Sequence, residues 1–283
     1  MKPCIIMRSH NDMPIIADTL SKLYEQDRPF ELIVFDNEST DGTLEEIRKY
    51  TSRVFNIPEG AYIPGRVLNQ GMEKSSGEFV VFLNSDCAPL NKSWLGNLME
   101  GFKQDNAAAV FSRQVPRPDC QPLFSKDTED TYGDGSRQKH WQHCFSMASS
   151  SIRRSVWEKM KFNENIRYSE DIEWTWRAKK NGYSICYVPN SVVMHSHNYL
   201  LTQFYRRHYG EGGAEADIFD WTPWDRTLLR YSLLPYIRQV LSDWQYSLQK
   251  GLPGAFFYSP VLRMAQLLGR RAGFQSAFRE KSK

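Results

Sequence analysis

The sequence predicts an α/β fold: a mostly parallel central sheet flanked by helices, followed by a helical C-terminal appendage. Three observations carry this expectation. Apolar runs of strand length alternate with segments of helical spacing through the first half. Polar clusters fall at the ends of those runs, where ligands bind in parallel sheets. From about Leu200 onward the pattern is helical, with breaks.

The elements follow in order. "PCIIM" (3–7) reads as a buried strand, and Met13, Ile16, Leu20 and Leu23 recur at helical spacing after it. "FELIVF" (30–35) is the second strand; the turn-forming "DNESTDGT" then opens a helix bearing Leu44 and Ile47. "SRVFNI" (52–57) is a shorter strand. A helix with Val67, Leu68 and Met72 leads to "EFVVFL" (78–83), and a helix with Trp94, Leu95, Leu98, Met99 and Phe102 leads to "AAAVFS" (107–112). This β-α-β-α rhythm is what covers a parallel sheet on both faces. Residues 115–139 hold Pro116, Pro118, Pro122, Gly133 and Gly135 and are expected to form a long loop. "HCFSMASSSIRRSVWEKM" (143–160) reads as a strand feeding a helix. "SEDIEWTWRAKKNGY" (169–183) is a helix with Ser169 as N-cap and Gly182 as stop, in which Trp174 and Trp176 point apart, one of them to the core. "YSICYVP" and "SVVMHSH" are two further strands. The expected domains are 1–214, with halves 1–112 and 113–214, and an appendage at 215–283.

Composition narrows the function. The chain has 283 residues with ordinary apolar (41%) and charged (24%) fractions, enough for a full hydrophobic core without staples. Its five cysteines, at 4, 87, 120, 144 and 186, have neither disulfide-framework nor zinc-site spacing, and a reducing cytoplasm is the natural setting. The first apolar stretch is too short for a signal peptide, and "GLPGAFFYSPVL" (251–262) is too short for a bilayer span. The net charge of +3 is uneven. From Lys250 to Lys283 seven basic residues face one acid, giving +6 there and −3 on the rest. That basic end suggests contact with an anionic membrane surface; a helical cap on the domain and an oligomer contact are the alternatives. The basic residues accompany no nucleic-acid recognition motif, so no nucleic-acid partner is expected.

The chemistry concentrates in three clusters, "RSHND" (8–12), "DNESTD" (36–41) and "NSD" (84–86), each at the C-terminal end of an expected strand. If those strands are neighbours, the clusters converge on one crevice. Taken singly, each is equally a loop with an N-cap, since Asp, Asn and Ser are favoured there. Asp86 poses the choice sharply, as helix cap or metal ligand.

In order and spacing these motifs resemble those of family-2 glycosyltransferases, which have the GT-A fold, over roughly residues 3–210. "DNESTDGT" stands where that family has a DDGSTDGT-like motif, Asn84-Ser85-Asp86 where it has DxD, and "YSEDIEWTWRAKKNGYSICYVPNSVVMHSH" where it has an acidic ED helix, a Tyr-Val-Pro strand and a histidine. "GRVLNQG" (65–71), "SRQVP" (112–116) and "HSHN" are similar to the bacterial rhamnosyltransferase-like subset.

The resemblance implies an inverting, metal-dependent enzyme that moves a sugar from a nucleoside-diphosphate donor (UDP, dTDP or GDP type) to a glycan or polyprenyl-linked glycan in bacterial surface polysaccharide synthesis. It would be cytoplasmic, or peripheral on the cytoplasmic face of the inner membrane. Residues 1–112 would then be a Rossmann-like nucleotide-binding half and 113–214 the acceptor and catalytic half. A hard divalent cation, Mn²⁺ or Mg²⁺, would meet the donor's diphosphate, held by Asp86 and by His195 or His197, which stand two apart on an expected strand. Asp36 would bond the base. Ser9, Asn11, Asn37, Ser39, Asp41, Arg66, Asn69, Asn84 and Ser85 complete the implied nucleotide contacts, and Asp171 with Glu170 beside it the implied general base. The sequence departs from the family's pattern at Asn84, where an amide replaces the first carboxylate of DxD, and at Arg8, where many members have proline. The rival expectation is a degenerate member that binds nucleotide or glycan without catalysis.

Overall fold

A computed structural model describes residues 2–281 apart from 59, 137, 139–142 and 223. The chain forms two compact units. The first comprises residues 1–117, 128–166 and 170–196, the second residues 118–127, 167–169 and 197–283.

Among the described residues the first unit has eight strands: β1 (Cys4–Ser9), β2 (Glu31–Asp36), β3 (Val54–Asn56), β4 (Phe79–Asn84), β5 (Ala88–Pro89), β6 (Ala107–Val115), β7 (Ser149–Arg153) and β8 (Ser184–Met194). They form one mixed sheet in the order β3-β2-β1-β4-β7-β6-β8-β5. Four neighbouring pairs are parallel (β1 with β2 and with β4, β2 with β3, β6 with β8), and the three pairs involving β7 or β5 are antiparallel. Its helices are α1 (Ile15–Tyr24), α2 (Thr43–Arg48), α3 (Pro64–Lys74), α4 (Trp94–Glu100), α6 (Arg154–Lys159) and α7 (Glu170–Lys180), while α5 (Pro122–Thr131) spans the limit between the units.

Alternation along β1 explains why the sheet needs two covers. Cys4 and Ile6 join the core that contains Phe35, Leu68, Phe82, Trp157 and Trp174; Ile5 and Met7 join the other, with Leu20, Val34, Val81, Trp94 and Leu98. Successive side chains of a strand point to opposite faces, so a strand apolar at every position demands helices on both sides.

Several expected elements are revised. Met13 lies outside α1, which starts only after Pro14, and it is exposed. The stretch 115–139 is not all loop: Pro122 opens α5, whose Leu123 and Phe124 are buried; residues 137 and 139 lie outside the described ones. The two strands expected between 183 and 197 are one, because the ladder with β6 skips from Ser112↔Val188 to Arg113↔Val192 and resumes. Ser169 has φ 58°, not the extended backbone usual at an N-cap. Trp174 is the core tryptophan, fully buried, whereas Trp176 is half-buried.

The second unit is helical, with α8 (Leu201–Ile218), α9 (Leu234–Lys250) and α10 (Pro253–Lys281). Helices α8 and α10 pack so closely that a Cβ at Gly212 would strike the Arg270 carbonyl oxygen, and one at Gly273 that of Tyr209. The expected boundary at 214/215 falls inside α8, so a cut there would sever a continuous helix. The basic end is also less free than its sequence suggests. Arg263 is 1% exposed among the carboxylates of Asp127 and Asp243, and Arg270 pairs with Glu215 at 2.9 Å; Lys283 lies outside the described residues.

Candidate active site

The order β2-β1-β4 makes the three polar clusters neighbours. Parallel register sets Ser9 beside Asp36 and Arg8 beside Asn84. A cavity of about 350 Å³ opens over these strand ends, lined by Arg8–His10, Asp12, Asn37, Tyr62 and Asn84–Asp86.

Hydrogen bonds shape the β1–β2 side. Asp36, 1% exposed, accepts from Ser9 Oγ (2.9 Å), Ser39 N (2.9 Å) and Ser39 Oγ (2.7 Å). Its carboxylate therefore ties the two strand ends together. Asn11, in the left-handed region at φ 52°, accepts from Thr40 N, while Asp41 accepts from Met13 N and Thr43 N. Asn37 Oδ1 is buried and, among the described residues, has no hydrogen-bond partner, so the cavity carries an acceptor suited to a ligand N–H or hydroxyl.

Two implied nucleotide contacts lie away from this cavity. Asn69 is 3% exposed and spends all four of its bonds on protein: Nδ2 donates to Phe162 O and Glu164 Oε1, and Oδ1 accepts from Trp157 Nε1 and Phe162 N. Arg66 pairs with Glu164 at 3.4 Å. Neither lines the cavity; both tie α3 to the loop after α6.

Asp86 is no helix cap, since the next helix, α4, begins only at Trp94. Its Oδ2 lies 3.5 Å from His195 Nε2. The histidine follows β8 rather than lying on it, and its N–H is anchored to Val115 O. His195 Nδ1 lies 2.7 Å from Gln114 Oε1, an acceptor, and Gln114 Nε2 in turn donates to Ser146 Oγ. In the neutral ring Nδ1 therefore carries the hydrogen and Nε2 turns its lone pair toward Asp86, the arrangement that prepares a histidine for metal. Cys87 shares the cluster, but it is fully buried and burial pushes its thiol well above its ordinary value, so it stays a thiol. One carboxylate and one imidazole fit a divalent ion that completes its shell with phosphate and water. His197 belongs to the second unit, its ring 5.6 Å from that of Tyr199.

Opposite β1 stands the acid pair at the head of α7. Asp171 Oδ2 accepts from Met147 N at 3.1 Å, and burial raises its pKa against that bond and the charge of Arg8. Burial and the Asp171 charge push Glu170 up to about 7. Arg8 links the pair to the cavity, its Nη1 donating to Glu170 Oε1 at 3.4 Å. Tyr62, Gln114 and the Met147 amide went unnoticed in the sequence, although Gln114 falls within "SRQVP", one of the motifs that carry the resemblance.

Comparison with known proteins identifies the family: the description "Glycosyl transferase family 2" matches residues 4–160. The chain belongs to glycosyl transferase family 2. Within the family it is similar to the O-antigen chain rhamnosyltransferase WbaN of Salmonella anatum, at 30% identity over 68% of this chain and 64% of that one. It is also similar to the O-antigen chain rhamnosyltransferase RfbN of Salmonella typhimurium, at 26% identity over 76% and 73%. The chain thus spans just under two thirds of the first relative's length. Among solved structures, the mannosyltransferase PcManGT from Pyrobaculum calidifontis, in complex with GDP-Man and Mn²⁺, aligns with a TM-score of 0.67 at 18% identity, over 99% of this chain and 88% of that one. The fold is GT-A.

Proposed function

We propose that this protein is an inverting glycosyltransferase that moves a sugar from a nucleoside-diphosphate donor to a glycan in bacterial surface polysaccharide assembly. The observation that carries the proposal is one cavity lined by Asp86, whose carboxylate lies 3.5 Å from His195 Nε2, with the Asp171–Glu170 pair joined to it through Arg8.

The acceptor hydroxyl oxygen attacks the anomeric carbon while the bond from that carbon to the diphosphate oxygen breaks. A single displacement of this kind inverts the carbon. Asp171 takes the hydroxyl proton, a task suited to a buried carboxylate of raised pKa. The nucleoside diphosphate departs with the bonding electrons. A divalent ion held by Asp86 and His195 would supply positive charge to the leaving diphosphate. Asn37 Oδ1 offers an acceptor to the donor's base or ribose, and Asp36 holds the loop that presents it.

Rhamnose is the sugar to test first, because two relatives are described as rhamnosyltransferases. In this reading the protein works on the cytoplasmic face of the inner membrane, on a polyprenyl-linked glycan. Exposed apolar residues on α9 and α10, such as Leu248 and Phe257, support a membrane contact there.

The test is calorimetric titration of UDP, dTDP and GDP with and without Mn²⁺, on the unaltered protein and on Asp86→Ala. We expect one nucleotide to bind more tightly with metal and the variant to lose that gain. A donor screen then follows. Metal-independent binding that the variant leaves unchanged would remove the metal from the mechanism. Tight binding without turnover of any donor would favour a non-catalytic nucleotide binder.

A further inference from the structure

We propose that Arg8 is the fixed cation of the donor's diphosphate subsite, and that Asn84 is an amide in order to leave that charge available. The inference rests on the donor-site reading above.

Among the described residues that line the cavity, Arg8 is the one arginine or lysine. Its side chain is 16% exposed, so little water screens its charge. Three contacts hold it in place: Nη1 donates to Tyr62 Oη at 3.2 Å and to Glu170 Oε1 at 3.4 Å, and Nη2 to Asn84 Oδ1 at 3.0 Å. A guanidinium has five N–H groups, so Nε–H and the second Nη2–H remain to meet a ligand. Around it stand Asp12, Asp86, Glu170 and Asp171, a set that repels a diphosphate unless a cation intervenes.

The register of β1 and β4 explains the amide. Arg8 and Asn84 are lateral partners in the ladder, so residue 84 always faces the guanidinium. An aspartate there would pair with Arg8 by charge-assisted bonds and neutralise it. An amide orients the arginine with one neutral acceptor and adds no second counter-charge to that of Glu170. The two departures from the family's pattern, Arg8 and Asn84, thus meet in one hydrogen bond.

The test uses the full chain and, of UDP, dTDP and GDP, the one that binds tightest, beside its parent nucleoside, both titrated in EDTA. Losing charge-assisted bonds should cost Arg8→Met roughly ten- to a hundredfold in diphosphate affinity. Nucleoside affinity should stay within about twofold, and Arg8→Lys should keep part of the loss from appearing. Asn84→Asp, nearly isosteric and safe for folding, should weaken the diphosphate about tenfold as well. If residue 84 were instead a worn metal ligand, a second titration of Asn84→Asp with Mn²⁺ in place of EDTA would show stronger binding, which would overturn the proposal. Equal losses for nucleoside and diphosphate in Arg8→Met would also overturn it, by making Arg8 a scaffold residue. Nucleotide binding that Arg8→Met leaves intact sinks this proposal alone. No binding by the unaltered protein, with or without Mn²⁺, sinks the donor-site reading along with it.

Discussion

The two units place their charges differently. In the first, Arg8, Asp12 and Asp86 line a cavity at the ends of β1 and β4, and the acid pair at 170–171 reaches it through Arg8. In the second, Asp243 (0% exposed) accepts from Arg263 Nε at 2.7 Å and Ser259 Oγ at 2.7 Å, with Lys126 Nζ 3.2 Å away; Asp127 takes two more bonds from Arg263. That set is closed on itself. The outer surfaces differ in the opposite sense. Of the 21 exposed large apolar residues among those described, Met13, Tyr24 and Leu90 belong to the first unit and the other 18 to the second. Buried charge with spare bonding capacity beside a cavity marks chemistry. Buried charge that is fully spent marks architecture, and the unit that contains it turns an apolar face outward.

Catalysis gives the comparison its severest trial. Asp171→Asn removes the proposed base and should lower turnover about 10²- to 10⁴-fold, with nucleotide affinity nearly unchanged. A donor-hydrolysis or transfer assay beside a binding titration separates the two quantities. Unchanged turnover would move the base elsewhere, and the first unit would lose its claim to a chemical charge pair.

Next comes the closed set. Asp243→Ala leaves Arg263 and Lys126 buried without their shared counter-ion, which should cost about 3–5 kcal/mol in urea unfolding. A loss below about 1 kcal/mol would mean the cluster is not architectural.

The two units should also answer pH with opposite slopes. Glu170 has a folded pKa of about 7, above the usual carboxylate value near 4.3. Between these values the native state keeps a proton that the unfolded chain has released, so stability falls as pH rises from about 4.3 to 7. Glu170→Gln should flatten that limb. Burial works against the charge on Asp243, but the bonds and charge of Arg263, with Ser259 and Lys126, win and hold its pKa below the ordinary value. Its contribution is complete above about pH 4 and is lost as pH falls through the lowered folded value. Urea midpoints from pH 3 to 8 for both variants check this. A neutral limb that survives Glu170→Gln would assign the titration to another group.

The sequence made half of this comparison readable. The strand ends at Arg8–Asp12, Asp36–Asp41 and Asn84–Asp86 could be read because a parallel sheet sends equivalent ends to one edge. Asp86 was legible together with either His195 or His197; that His195 stands 3.5 Å from Asp86 depends on where β8 ends, which no local pattern encodes. Asn69 and Arg66 misled because polar residues on a helix look alike until their partners are known. Those partners, Phe162 and Glu164, lie more than 90 residues away in the chain. The contact of Arg8 with Glu170 spans 162 residues and was equally invisible. In the C-terminal third, charge was legible only as a sum. Arg263 and Arg270 counted toward a basic surface, yet both are engaged in ion pairs, and the feature that distinguishes the unit is apolar exposure.

The smallest expected effect tests that exposure. Phe257, Val261, Met264 and Leu268 recur along α10 at 4-3-4 spacing, all exposed. Leu201 and Tyr205 of α8 and Tyr236 of α9 join the last three around a groove of about 700 Å³ that has one cation, Arg206. Among the described residues no helix is long and apolar enough to cross a membrane. An apolar strip with an adjacent arginine suits a helix lying in the headgroup region of an anionic bilayer. Leu268→Ser should change folding stability by less than about 0.5 kcal/mol, as an exposed position. It should nevertheless weaken flotation with phosphatidylglycerol vesicles, and Arg206→Gln should do so about fivefold. Vesicle binding untouched by either change would take the membrane from this face. A concentration-dependent dimer that Leu268→Ser dissociates, in a protein that ignores vesicles, would assign the strip to a second copy of the chain.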